Sequence, residues 1–226
     1  MEKLLRGIVH FQNEIYPRNR ELYRQLATRQ QPDTLYIGCS DSRVVPDQLL
    51  QTQPGDLFII RNAGNIVPPW GDVVGGVSAT VEYAVGVLGV KQVVICGHSD
   101  CGAMKAVMHP EKVEHFRAVK SWLHHAERVL PVARAAHPDL GTDQLLEFVI
   151  RENVHAQIDN LLTHPSVAAR VRAGTLKVHG MVFDIAHGTV RVLDRRTGEF
   201  RSADDLLHDA ALLSAGASAS AARESA

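Results

Sequence analysis

Gln92-Val-Val-Ile-Cys-Gly-His-Ser-Asp-Cys-Gly102 is the stretch on which the fold turns. Its opening, Gln92 to Cys96, is a short apolar run closed by glycine, the pattern of a strand buried on both faces. His98 and Cys101 follow at once, and a helix opens at Gly102. Two earlier runs have the same form, Thr34-Leu-Tyr-Ile-Gly38 and Leu57-Phe-Ile-Ile60, with segments of helical length at Pro46 to Gln51 and Val73 to Leu88. Short buried strands alternating with helices predict an α/β class, a central and mainly parallel β-sheet flanked by helices. Farther on, residues 112 to 130 and 142 to 173 read as mostly helical, punctuated by Pro131, Pro138, Gly141 and Pro165. A last strand or pair of strands is expected in Leu176 to Asp184 and Thr189 to Leu193.

Outward from this core, residues 2 to about 28 place Leu4, Leu5, Ile8, Phe11, Ile15, Leu22 and Leu26 at near-helical spacing, with Pro17 as a break or kink. Such an N-terminal helical arm must lay its apolar stripe on this chain's own core or on a neighbouring subunit. Ala210 to Ala226 is mostly Ala and Ser, with Leu212 and Leu213 as its only anchors. That is too little apolar area to offset the entropy of ordering, so a frayed tail is expected. The expected organisation is an arm over 1–30, one α/β domain over 31–209 and a flexible tail over 210–226.

Of the 226 residues, 45% are hydrophobic and 22% charged, which suffices for a packed core and excludes wholesale disorder. Lys and Arg number 24 against 25 Asp and Glu, a net charge of −1, which argues against a general nucleic-acid binder. No membrane span is expected, because the most apolar stretch, Val73 to Val90, is interrupted by glycines, Ser78, Thr80 and Glu82. The start, with Glu2, Lys3 and Arg6 and no continuous apolar core, does not read as a signal peptide, and a cytoplasmic location is expected. Three cysteines are too few and too odd a set for a disulfide framework; free-thiol, metal or catalytic use is the expectation.

Where those cysteines fall relative to the strands is informative. Cys39 follows one strand, and His98 and Cys101 follow another, so both sets sit at strand C-termini, where open parallel sheets place their functional crevice. Cys96, inside its strand, reads as a buried and inert thiol. Two thiolates and an imidazole suit tetrahedral Zn²⁺ with a fourth position open, the arrangement of a catalytic site. The alternative is that His98 caps a helix and the cysteines fill a tight turn. In Cys39-Ser-Asp-Ser-Arg43, the spacing of Asp41 and Arg43 lets a guanidinium hold a carboxylate ionised and oriented. Beside a metal that carboxylate can orient a nucleophile or fill the fourth position; away from one it would be a turn ion pair.

Cys39-Ser-Asp-Ser-Arg43, Arg61-Asn-Ala-Gly-Asn65 and Cys96-Gly-His98-Ser-Asp-Cys101-Gly102 resemble the signature blocks of the β-class carbonic anhydrases, with the flavour of the bacterial, cyanate-operon type. The similarity runs from the arm to about Leu193, with further agreement at Gly55 to Phe58, Gly75 to Tyr83, Arg151-Glu-Asn-Val154 and Gly180. The resemblance implies a β-carbonic anhydrase fold, and reversible hydration of CO₂ to bicarbonate and a proton on one zinc per subunit held by Cys39, His98 and Cys101. Zinc would acidify its water from ~15.7 towards about 7, and Asp41 with Arg43 would orient the resulting hydroxide. Asp41 would become a ligand only in a closed state. It further implies a substrate pocket of Phe58, Ala63 and Tyr83, a backbone N–H from Gly102, Gln30 reaching in from a partner subunit, and a homodimer or higher assembly (tetramer or octamer).

Some members of the family resemble one another in a bicarbonate-bound off-state that uses a Trp three residues before the first cysteine, an Arg and a distant Tyr. Here that first position is Tyr36, although Arg61 is present, so the open form with water on zinc is expected at neutral pH. The rivals are a CS₂/COS hydrolase on the same scaffold and a noncatalytic zinc-stabilised assembly protein; a thiol-redox role lacks a Cys-x-x-Cys. Gly71, Gly75 and Gly76 match no nucleotide-binding motif. His124, His125, His137, His155, His164, His179 and His187 read as solvated surface residues.

Overall fold

Four runs rich in β-branched and aromatic residues pair side by side in parallel and carry the rest of the chain. The structure is a computed structural model and describes residues 1–72 and 75–211. The strands are β1 (Thr34–Cys39), β2 (Leu57–Asn62), β3 (Gln92–His98), β4 (Lys177–Asp184), β5 (Thr189–Asp194) and β6 (Glu199–Ser202), in the spatial order β2-β1-β3-β4-β5-β6. The first four positions in that order are parallel, and β5 and β6 add on antiparallel. The helices are α1 (Glu2–His10), α2 (Tyr16–Arg18), α3 (Arg20–Leu26), α4 (Pro46–Leu50), α5 (Gly76–Glu82), α6 (Gly102–Met108), α7 (Arg117–Leu123), α8 (Val129–Ala136), α9 (Thr142–Leu162) and α10 (Pro165–Arg172).

The chain steps from β1 to β2 on one side and then to β3 on the other, so the connections leaving β1 and β3 diverge. A crevice opens at such a switch point, outside the strand C-termini. Cys39 ends β1 opposite Asn62, and His98 ends β3 opposite Phe183. One sheet face, with Leu35, Ile37, Val93 and Ile95, packs on Val154, Ile158 and Leu161 of α9 and is the main core. The contact is close because position 180 is glycine: a Cβ there would lie 2.7 Å from the Val154 Cγ1. The opposite face carries Tyr36, Val94, Cys96 and Met181, with Leu49 and Leu50 packed against them.

Several elements differ from the expectation. The arm does not break at Pro17. A π turn over Phe11–Ile15, in which the Tyr16 N–H bonds the Phe11 carbonyl, widens the helix ahead of the proline, and the backbone leaves helical geometry at Asn19. The stretch expected as one helix from Val73 becomes α5 followed by a π turn over Tyr83–Leu88 that ends at Gly89; Val73 and Val74 lie outside the described residues. The third member of the C-terminal meander, β6, was not expected, because Glu199-Phe-Arg-Ser202 is short and charged. It is secured through Asp194, which accepts hydrogen bonds from Arg196 and Arg201. Residues 203–211 are helical, so the expected tail begins in helix, and 212–226 lie outside the described residues.

No residue of α1, α2, α3 or the π turn at 11–15 is buried, and Leu4, Leu5 and Ile8 are each more than half exposed. The N-terminal part of the arm's apolar stripe therefore does not rest on this chain's own core, while Leu26 at its end packs against Gly55. Among the described residues no helix is long and apolar enough to cross a membrane.

Candidate metal centre

Cys39, His98 and Cys101 are buried and offer their ligand atoms within 4.8 Å of one another at the switch point. The geometry follows from the local sequence. β1 delivers Cys39 at its last residue, β3 delivers His98 at its last residue, and Asp100 turns the chain with a φ of 59°, a left-handed conformation that Asp tolerates, to bring Cys101 back as the cap of α6. The His98 Nδ1 lies 2.9 Å from the Ser99 carbonyl, an acceptor, so Nδ1 carries the proton and Nε2 presents a lone pair. That Nε2 is buried and makes no hydrogen bond. An orphaned imidazole nitrogen facing two thiols is the donor set that a tetrahedral zinc ion satisfies.

The two neighbouring thiols are pushed in opposite directions. The neighbouring Cys101 thiol is the main reason that Cys39 falls below the usual thiol range, against the upward push of its burial; the nearby His98 and the Gly64 N–H, 3.4 Å from its Sγ, add to the fall. Cys101 moves the opposite way, well above the usual thiol range, because of the same hydrogen bond and of burial. Burial alone would lower His98, but the neighbouring Cys39 more than offsets it and the net shift is upward. Cys96 is buried within β3, and burial pushes its thiol up to about 11.

Asp41 stands beside this group, its Oδ2 4.0 Å from the His98 Nε2. Arg43 grips it with two bonds, Nε to Oδ1 at 2.9 Å and Nη2 to Oδ2 at 2.8 Å, which holds the carboxyl well below the usual carboxylate range. The same guanidinium reaches Asp100 Oδ2 at 3.0 Å, and Lys105 also bonds Asp100. Arg61 ties down the backbone between ligand and carboxylate, donating to the carbonyls of Cys39 at 3.0 Å and Asp41 at 2.7 Å. Asp100, Lys105 and this use of Arg61 were not singled out from sequence; only the fold makes them neighbours.

The remaining expected residues divide into two groups. Ala63 precedes Gly64 at the rim, its carbonyl accepting a hydrogen bond from Trp122 Nε1 at 2.8 Å, and Gly102 opens α6 next to Cys101. Gln30, Phe58 and Tyr83 do not join the group within one chain. Gln30 lies exposed in the segment after the arm. Phe58 pairs in register with Leu35, four residues before Cys39, or roughly 13 Å along the strand. Tyr83, 44% exposed, meets Phe58 with ring centroids 6.0 Å apart. The surface reading of the histidines also needs correction. His164 is 1% exposed and donates from Nε2 to the Pro68 carbonyl, and His125 and His179, the latter paired with Val94 on the sheet face away from α9, are lowered by burial.

The family model described as carbonic anhydrase matches residues 34–190. A carbonic anhydrase of Pseudomonas aeruginosa is 49% identical over 202 residues, covering 89% of this chain and 91% of that protein. Among solved structures, the β-carbonic anhydrase CcaA superposes with a TM-score of 0.87 at 38% identity, covering 89% of this chain and 98% of that one. One of the tetrameric β-carbonic anhydrases of Sordaria macrospora superposes with a TM-score of 0.72 at 31% identity, covering 85% of this chain and 96% of that one.

Proposed function

The chain belongs to the β-class carbonic anhydrase family, and on that premise we propose that it catalyses the reversible hydration of CO₂ to bicarbonate and a proton. The observation that carries the reading is the buried Cys39, His98 and Cys101 group beside a carboxylate clamped by Arg43. Zinc held by those three residues would supply an acidified water, and so a hydroxide nucleophile, at neutral pH. Asp41, kept ionised by Arg43, is a hydrogen-bond acceptor only; it would accept a hydrogen bond from the O–H of the nucleophile and so aim the oxygen lone pair at the substrate carbon. Because both Asp41 oxygens are engaged by Arg43, the carboxylate is held off the fourth ligand position, which fits the open form. The Gly102 N–H donates to a substrate oxygen, and Ala63 forms part of the pocket wall.

The partner subunit's Gln30, Phe58 and Tyr83 complete the pocket, since Phe58 lies at the far end of β2 from its own chain's Cys39 and Tyr83 packs beside Phe58. Assembly of at least a homodimer through the exposed arm follows from the same need, and higher assemblies have a precedent in the tetrameric relatives. Free thiols as ligands suit a reducing compartment, in keeping with a cytoplasmic location.

The test is stopped-flow CO₂ hydration with a pH indicator, beside zinc quantitation and the variant Cys101→Ser. Turnover is expected to track zinc content and to be lost in the variant. Stoichiometric zinc with no hydration between about pH 7 and 9 would overturn the reading in favour of CS₂ or COS hydrolysis or a noncatalytic assembly role.

A further inference from the structure

The helix α9 carries four polar side chains on one stripe, Asn153, Gln157, Asn160 and, just past its end, His164, none more than 7% exposed. Buried amides are costly unless bonded, and besides bonding one another these reach partners outside the helix. Asn153 Nδ2 donates to the Gly64 carbonyl at 3.0 Å, the Val67 N–H donates to Gln157 Oε1 at 2.9 Å, and Asn160 Nδ2 donates to the Val67 carbonyl at 2.9 Å. Gln157 Nε2 also donates to Asn153 Oδ1 at 2.9 Å, which locks the orientation of the first amide from the second. The ladder thus fixes the backbone of the loop after β2, residue by residue.

That loop reaches the metal group through a single residue, Gly64, whose N–H and carbonyl belong to the two peptide units on either side of it. Gly64 has a φ of 82°, and a Cβ there would stand 2.9 Å from the Ala103 Cβ, so only glycine fits against α6. In this conformation its carbonyl points to Asn153 while its N–H points to Cys39 Sγ. We infer that Asn153 is a positioning residue for the zinc site: by holding the Gly64 carbonyl it aims the Gly64 N–H at the Cys39 thiolate, presetting the ligand's orientation and charge. Partners in the outer shell of a metal site change its affinity ten- to a hundredfold when removed. The inference rests on the reading of Cys39, His98 and Cys101 as zinc ligands.

The test replaces Asn153 by leucine, close in shape but without a donor, and compares full-length wild type, Asn153→Leu and Leu161→Ala. The last removes buried volume from the same helix, where it packs in the main core. Two quantities are read: zinc affinity by chelator competition, and the thiolate-to-metal charge-transfer band of the Co²⁺-loaded protein. Asn153→Leu is expected to bind zinc ten- to a hundredfold more weakly and to shift the band to lower energy, because a thiolate relieved of its N–H donor is more electron-rich. Leu161→Ala is expected to lose stability in denaturant while keeping both quantities. Wild-type affinity and an unmoved band in Asn153→Leu, or equal losses in Leu161→Ala, would overturn the inference. A wild type that binds no zinc would instead remove the ligand assignment beneath it. Should Asn153→Leu not fold, Asn153→Ser, too short to reach the carbonyl, is read in the same way.

Discussion

Arg43 does more at this site than neutralise a charge. Its planar fork meets both oxygens of Asp41 while a further nitrogen holds Asp100, so carboxylate, guanidinium and the turn between His98 and Cys101 form one connected unit. A lysine would keep the positive charge without the fork. Arg43→Ala should therefore lower kcat by ten- to a hundredfold, the usual range for outer partners of a metal site, with zinc content unchanged, and Arg43→Lys should recover only part. Measuring kcat beside zinc content for both variants checks this, and a wild-type kcat in Arg43→Ala would contradict it. The pairing of Asp41 with Arg43 was legible as a two-residue spacing. Asp100 was not, because adjacent strand ends place Cys39 near His98 and Cys101 without saying which side chain of the intervening turn faces Arg43.

At the scale of elements, the approach of α9 to β4 decides how firmly the site is backed. Gly180 gives the helix room to come down on the sheet, with Val154 Cγ1 and Ile158 Cδ1 standing 2.7 and 3.1 Å from where a Cβ would be. Gly180→Ala should cost about 1–3 kcal/mol by overpacking, seen as a fall in melting temperature of roughly 2–4 °C for each kcal/mol. An unchanged melting temperature would mean that α9 can withdraw from the sheet without loss. The four parallel strands were readable because each is a compact apolar run. The polar stripe on α9 was harder, since amides spaced by four and three residues on a helix usually face water. Here they face a loop that arrives from some 90 positions away in sequence.

For the whole molecule, the arm is the unsatisfied part. Its apolar residues are spaced for packing, yet Leu4, Leu5, Ile8 and Phe11 remain 40% to 66% exposed on the single chain. Such a surface on an otherwise well-packed protein marks an interaction site. Leu4→Glu combined with Ile8→Glu should reduce the molecular mass in solution and, with it, CO₂ hydration, because the pocket then lacks the partner subunit's Gln30, Phe58 and Tyr83. Sedimentation beside activity checks this; an unchanged assembly, or a monomer with undiminished turnover, would show that the pocket closes some other way.

The sequence by itself determined the α/β class, the parallel strands and the chemical types of the candidate metal ligands, because strand burial and thiolate–imidazole chemistry are properties of short segments. Only the tertiary structure decided that Arg43 is divided between two carboxylates, that His164 is interior, and that Phe58 and Tyr83 stand away from Cys39, His98 and Cys101 of their own chain. Each of these depends on distances between residues remote in the chain, and electrostatic and hydrogen-bond energies are set by those distances rather than by residue type.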